Sequence, residues 1–289
     1  MGVLSMYDYN KPVTTYTHLH CHTSFSLLDG IGKPEDNAKR AAEVGMQSLS
    51  ITDHGTCAGH YEFQKACDKH GIKPILGNEF YFVEDINRKG VTDEEAEGMS
   101  TAEVKEETRR RMSNPHLILL AENDIGLQNL YHLNYIANKD GFYGKPRIDI
   151  NALRQHHEGI IATTTCIISP YAKYYFTGQT DKMNNLFEQM YDIFGRDNYF
   201  VEMHPHEKFS YRDEDGDRHA QREYNFAMVE MFRKKYDIRC ILANDAHYPD
   251  KARQEAHAFM VKLNTNGKYD ETSCKNLYIA TEDEMTVLA

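Results

Sequence analysis

Short apolar runs alternate with longer amphipathic stretches along this chain. The runs at 15–20 (TYTHLH), 47–52 (QSLSIT), 73–83 (KPILGNEFYFV), 116–121 (HLILLA), 159–164 (GIIATT), 198–203 (NYFVEM) and 238–244 (IRCILAN) predict strands. Helices are predicted between them at 34–45, 58–70, 124–138, 180–194 and 219–236. The first opens on Pro34 and closes at Gly45, and the second closes at Gly71, the usual asymmetry of helix ends. Alternation of strand and helix predicts an α/β fold with a parallel sheet, and seven or eight such units over about 250 residues predict a barrel. Residues 84–114 break the rhythm with nine acidic and six basic residues, and predict a solvated helical insertion. Arg109, Arg110 and Arg111 are its candidates for a phosphate contact. From about 265 the chain turns polar, with a final short helix, and reads as an appended segment.

Composition narrows the function. A length of 289 residues suits one large domain or two small ones, and 40% apolar residues suffice for a core. The 19 Tyr and 13 Phe exclude a disordered tail. No apolar run approaches the ~20 residues of a membrane span. The opening MGVLSMYDYNKPVTTY lacks the basic-then-apolar order of a signal peptide, so a cytoplasmic protein is expected. Cys21, Cys57, Cys67, Cys166, Cys240 and Cys274 show no CxxC spacing, and reduced thiols are expected. Thirty-three basic against 44 acidic residues give a net charge of −11, which repels phosphate at long range. Contact with a nucleic acid must then be local, or assisted by bound cations.

The polar residues at the strand ends carry the chemistry. In parallel barrels the βα loops share one mouth, so side chains at the C-terminal ends of strands meet there. The first predicted strand ends His18-Leu19-His20-Cys21-His22, where i and i+2 share a face, so His20 and His22 can present two imidazoles to one cation with His18 deeper. Asp29 follows, before the tight turn that Gly30 allows. The second strand ends Asp53-His54-Gly55, a carboxylate beside a histidine that it can orient. Glu79 stands in an otherwise apolar third strand, where an unpaired carboxylate is costly and a cation or an arginine is the usual answer. His116 begins its strand rather than ending it, which requires a local distortion. Cys166 follows the fifth strand, and Asp245 and His247 repeat the same-face spacing after the seventh. His204 and His206, separated by Pro205, are expected at the rim as substrate contacts, as are Lys208 and Arg212 in the loop beyond. Nine candidate ligands result: His20, His22, Asp29, His54, Glu79, His116, Cys166, Asp245 and His247. Nine mixed N, O and S donors exceed one tetrahedral site and suit two or three divalent ions of zinc, manganese or iron.

The ordered motifs HxHTxxxSLLDG, ITDHG, GNEFYF, HLILLA, a Cys after strand five and NDAHY resemble the polymerase and histidinol phosphatase (PHP) domain family. The likeness runs from about 15 to 265 and is greatest to the branch that opens the alpha subunit of bacterial DNA polymerase III. The resemblance implies a distorted (β/α)7 TIM-like barrel over 1–265, with 266–289 a connector. It implies one metal held by His20, His22, Glu79 and Asp245, a second bridged by Glu79 and held with His116 and Cys166, and a third held by Asp29, His54 and His247. Phosphoester hydrolysis is the expected reaction, with Asp53, His54, Glu79 and Asp245 as catalytic residues and Asp53 orienting a ligand histidine. The substrate expected is a DNA 3′ end, cut by a proofreading-type 3′–5′ exonuclease associated with a DNA polymerase or replication subunit. A small-molecule phosphatase and a metal-stabilised scaffold docking to a polymerase are the alternatives.

Overall fold

The computed structural model describes residues 14–206, 210–212, 218–267 and 275–288. Helix α1 (Pro34–Glu43) is followed by β1 (Ser48–Ile51), α2 (His60–His70), β2 (Lys73–Phe82), α3 (Thr101–Arg111), β3 (His116–Ala121), α4 (Asp124–Lys139), β4 (Arg147–Ile148), α5 (Ile150–Gln155), β5 (Ile160–Thr163), α6 (Pro170–Phe176) and α7 (Thr180–Asn198). Then come β6 (Tyr199–Met203), a ribbon of β7 (Ser210–Arg212) and β8 (Arg218–Ala220), and α8 (Gln221–Met228). A π-helical turn (Val229–Arg233) leads on to α9 (Lys234–Tyr236), and β9 (Arg239–Leu242), α10 (Gln254–Asn264) and α11 (Glu282–Leu288) complete the order. No described helix is long and apolar enough to cross a membrane.

Seven strands form the main sheet, in the order β1-β2-β3-β5-β6-β9 with β4 added beside the end of β2. The expected parallel sheet holds for β1–β2, β2–β4, β5–β6 and β6–β9, but β3 runs antiparallel to both β2 and β5. The cause is the 84–114 insertion. It leaves the C-terminal end of β2 and returns to the same end, where Phe82 N donates to Pro115 O (2.8 Å). The chain therefore re-enters the sheet reversed, and His116 starts its strand at the mouth. That removes the anomaly seen in the sequence.

The expected first strand at 15–20 forms no ladder. Residues 18–22 are instead an extended seam between the two edges of the sheet. Ser50 N and Thr52 N donate to His18 O and Cys21 O (3.1 and 2.8 Å). On the other side His22 N donates to Ala246 O (2.7 Å) and Ala246 N to His20 O (3.1 Å), around a single Cys21–Ala246 bridge. This seam curls the sheet into a distorted TIM-like α/β barrel. Its partner cannot be a regular strand, because Asp245 has φ 52°.

The core follows the apolar pattern. Phe80, Leu117, Leu119, Ala162, Tyr199 and Val201 pack under Leu130, Leu133, Phe187 and Phe232, with the Phe187 and Phe232 rings stacked at 3.7 Å. On the other side Ala38, Ala41 and Phe63 cover Leu49 and Ile51. Helices α5, α6 and α10 were not predicted. The first two are short and rely on caps: Asp149 accepts from Asn151 N and Ala152 N, and Ser169 from Ala172 N.

Part of the segment read as a connector is embedded in the barrel. Leu277, Tyr278, Ile279 and Ala280 are buried. Asn244 Nδ2 donates to Asn276 O and Tyr278 O (2.8 and 2.7 Å), and His18 Nε2 donates to Ala280 O (3.0 Å). His18 therefore serves this seam and does not lie behind His20 in the mouth. Asn244→Ala strands the buried Tyr278 carbonyl and the half-buried Asn276 carbonyl, and is expected to lower stability by about 2 kcal/mol. Urea unfolding in chelator reads this, and an unchanged midpoint would mean that 275–288 adds nothing to the barrel.

Candidate metal centre

Each element at the mouth contributes a side chain. The 18–22 seam brings His20 and His22, the loop after β1 brings His54, β2 brings Glu79, and β3 starts with His116. The turn after β5 brings Cys166, and the segment after β9 brings Asp245 and His247. Asp29 arrives on the loop 23–32, where a side chain at Gly30 would lie 2.2 Å from Thr23 O. Three residues without glycine's freedom take left-handed backbone conformations here: Leu28 (φ 63°) before Asp29, Thr165 (φ 61°) before Cys166, and Asp245 itself (φ 52°). A β-branched residue such as Thr165 avoids that region unless its surroundings impose it, and such strain gathers at functional sites. Thr165 Oγ1 is fixed there by accepting from Ile118 N (2.8 Å).

Glu79 is the hub. It is 1% exposed, and its Oε1 lies 3.3 Å from His20 Nε2 and 2.9 Å from His116 Nδ1. Its Oε2 lies 3.3 Å from His22 Nε2 and 2.5 Å from His54 Nδ1. Asp245 Oδ1 stands 3.0 Å from His20 Nε2 and 3.2 Å from His22 Nε2. Asp29 Oδ2 stands 3.1 Å from His54 Nε2 and 3.5 Å from His247 Nε2. Among the described residues, donor atoms within 4.8 Å of one another form four groups: His22–His54–His247, His20–His22–Glu79, His54–Glu79–His116 and His20–Glu202–His204. Cys166 belongs to none of them, though Asp245 and Glu79 act on its thiol.

The outer nitrogens decide what the inner ones can do. His20 Nδ1 donates to Glu202 Oε1 (2.7 Å), and His247 Nδ1 donates to Asp245 O (2.7 Å). His22 Nδ1 donates to Ser26 Oγ (2.9 Å), which donates in turn to Asp53 Oδ1 (2.6 Å). In the neutral rings each proton is thereby held on Nδ1, leaving an Nε2 lone pair aimed inward. The inward atoms His20 Nε2, His22 Nε2, His54 Nδ1, Glu79 Oε1 and Oε2 and Asp245 Oδ1 are buried without a hydrogen-bond partner. Lone pairs facing lone pairs at about 3 Å need a positive charge between them. Divalent cations fit this donor set.

The charges agree. Burial opposes ionisation of Glu79, but His116, His54 and His20 outweigh it and hold the carboxyl well below its usual range. Asp245 is likewise held down, by His20 and His247 against burial. Burial, with His54 and His247 nearby, lowers His22 to about 3 and keeps it neutral. Burial opposes protonation of His54, yet Glu79 and Asp29 raise it to about 10. Burial, then Asp245 and Glu79, push the Cys166 thiol well up, so a thiolate there also needs a cation beside it.

Other predicted residues lie elsewhere. Asp53 is buried and accepts from Thr23 N, Thr23 Oγ1 and Ser26 Oγ, so it positions His22 through Ser26 and does not touch His54's ring. His204 and His206, expected at the rim, are 2% and 8% exposed. His204 Nε2 donates to Glu202 Oε1 (2.8 Å) and His206 Nε2 to Asn244 O (2.9 Å), because Pro205 turns the chain inward toward β9. Lys208 lies outside the described residues, and Arg212 is on β7 with its side chain outside them. Arg109 pairs with Glu106, and Arg111 with Glu95 and Glu107, within the insertion. Glu202 was missed. It is fully buried, Thr163 Oγ1 donates to it, and it carried the same signal as Glu79, an acid in an apolar strand. His257, 3.6 Å from Asp29 on α10, gave no signal in the sequence.

A profile of the PHP domain family matches residues 18–206. The chain is 35% identical over 270 residues to the DNA polymerase III subunit alpha of Aquifex aeolicus, covering 93% of this chain and 21% of that protein. It is 31% identical over 282 residues to the Thermus aquaticus protein of the same name, covering 94% and 21%. The chain thus spans about a fifth of the length of these curated relatives. Among solved structures, a two-domain Bacteroides vulgatus protein containing a predicted PHP-like metal-dependent phosphoesterase overlaps it with a TM-score of 0.43. The two are 13% identical over 82% of this chain and 55% of that one.

Zinc or manganese added to chelator-stripped protein is expected to raise the unfolding midpoint, by about 2.7 kcal/mol for each site at about 100 times its Kd. Glu79→Gln is expected to lose most of the gain. A midpoint indifferent to both ions would mean that protons alone separate these lone pairs.

Proposed function

The chain belongs to the PHP domain family, and on that footing we propose that it is a metal-dependent phosphoesterase that removes nucleotides from DNA 3′ ends, beside a DNA polymerase in the cytoplasm. The observation that supports this most is the set of buried inward atoms on His20, His22, His54, Glu79 and Asp245 without hydrogen-bond partners. We assign two or three ions of zinc, manganese or iron to these residues with Asp29, His116, Cys166 and His247. Such ions would activate a water at neutral pH and neutralise charge developing on phosphoryl oxygens.

The chain's own residues then have separate tasks. Glu202, the Asp245 carbonyl and the Ser26–Asp53 pair hold three imidazoles in one tautomer and orientation. Glu79 and Asp245 would repel the scissile phosphodiester from an unloaded centre, so seating of that one phosphate, and not contact with the strand outside the mouth, is tied to cation binding. Leu27, Leu28 and Ile168, exposed beside Asp29 and Cys166, give the mouth an apolar rim on which a terminal base can rest. Lys145, with Nζ 5.1 Å from the Tyr81 ring centre, is a cation beside the mouth for the next phosphate. The likeness to DNA polymerase III alpha subunits supports a replication context, and the net charge of −11 favours the alternative, a small phosphoester.

Metal-loaded protein is expected to shorten 5′-labelled single-stranded and mismatched DNA from the 3′ end. His20→Ala and Asp245→Ala are expected to lose about 100-fold or more in rate, with circular dichroism as the folding control. DNA left intact while aryl phosphates or nucleotides are hydrolysed would replace the exonuclease reading with the small-phosphatase one. Activity unchanged in both variants would reject catalysis by this cluster.

A further inference from the structure

Charge is unevenly spread over this acidic chain. Forty-four of its residues are acidic, yet 125–148 contains one carboxylate, Asp140. The outer face of α4 lies in this stretch, and Tyr131 and Tyr135 stand on it one turn apart, 45% and 58% exposed. Lys139 Nζ lies 5.2 Å from the centre of the Tyr135 ring. Tyr131 packs against His60 of α2 at 5.6 Å between ring centres, and the next residue, Tyr61, is 73% exposed with Lys65 Nζ 5.4 Å from its ring centre. Exposed rings paired with lysines therefore continue from one helix to the next.

This row leads to the metal centre. Asn134, beside Tyr135, donates from Nδ2 to Gly55 O (3.0 Å), and Gly55 directly follows His54. Gly55 needs its positive φ of 61°, and a side chain there would meet Pro146 Cγ at 2.8 Å and the Tyr81 ring at 3.0 Å. Lys145 covers the Tyr81 ring, which stacks beside His54 and meets His116 edge-on. The Asn134–Gly55 bond thus ties α4 to the loop that carries His54 at the lip of the mouth.

We propose that this surface, from Tyr61 across Tyr131 and Tyr135 to Lys145, is the track for a single-stranded nucleic acid whose end enters the metal centre. Bases stack on exposed aromatic rings whatever their sequence, while lysines between the rings follow the phosphates. Between Asp124 in its first turn and Asp140 at its C-cap, α4 carries no carboxylate, which lets a polyanion approach at this face of a chain that repels it elsewhere. The track deepens the exonuclease reading and rests on it for the identity of the strand.

The test is fluorescence anisotropy of a fluorescein-labelled oligothymidylate titrated with the full chain in chelator, where cleavage does not interfere. The double variant Tyr131→Ala/Tyr135→Ala, with circular dichroism as its folding control, removes two largely exposed rings together with Tyr131's contact to His60. It is expected to weaken binding about tenfold or more, while Tyr131→Phe/Tyr135→Phe stays within about twofold. Lys139→Gln/Lys145→Gln is expected to flatten the salt dependence. Failure of the wild-type chain to bind the strand, or alanine variants binding like wild type, would overturn the track. If those variants also cut DNA like wild type, the hydrolase reading would survive without it. Ring-dependent binding with no cleavage by metal-loaded protein would leave the track standing and reject the exonuclease.

Discussion

The constraint on which this fold depends is a confrontation of lone pairs. His20 Nε2 faces Asp245 Oδ1 at 3.0 Å and Glu79 Oε1 at 3.3 Å, with its own Nδ1 proton committed to Glu202. A neutral ring so placed is repelled by both carboxylates, so a proton or a metal ion must stand between them. The same few residues close the barrel. His20 and His22 flank Cys21, whose bridge to Ala246 joins the sheet's edges, and Asp245 and His247 flank Ala246. Closing the barrel and gathering the donors are one event, so ion binding and folding share free energy.

Much of this was legible because buried charge is expensive. Glu79 stood out as an acid in an apolar strand, and the structure gives it four histidines. Glu202, in YFVEM, offered the same signal, but the nearby His204-Pro205-His206 drew the reading to the rim. The odd position of His116 pointed to something real, since a side chain at the start of its strand reaches the mouth only if that strand is reversed. The reversal is written in the insertion between β2 and β3, whose composition said solvated helix but not that its two ends meet.

What stayed hidden depends on contacts distant in sequence. The 15–20 segment alternates as a strand does, yet its seam is held by a few scattered backbone bonds, to Ser50 and Thr52 on one side and to Ala246 on the other, and Asp245 before Ala246 takes a left-handed conformation. The spacing of Asp245 and His247 suggested two residues on one face of a strand, whereas both reach the candidate centre from the irregular segment after β9. His257 reaches Asp29 from a helix more than two hundred residues away in the chain. The polar tail read as an appended segment because its embedded portion, Leu277 to Ala280, is short and anchored by backbone carbonyls, which leave no trace in side-chain composition.

The charge distribution links the site to its surroundings. A chain of net charge −11 gains nothing from long-range attraction to phosphate, and four of its carboxylates, Glu79, Asp245, Asp29 and Glu202, are gathered in its centre. Screening confines such repulsion to roughly 8 Å at physiological salt, so short-range forces can still dominate at contact. Two kinds of force remain, cations bound inside the mouth and ring faces outside it. The structure supplies a vacancy of hydrogen-bond donors for the first and a carboxylate-poor row of tyrosines for the second. They meet at Tyr81, which leans on two candidate ligands from within and carries Lys145 on its outer side.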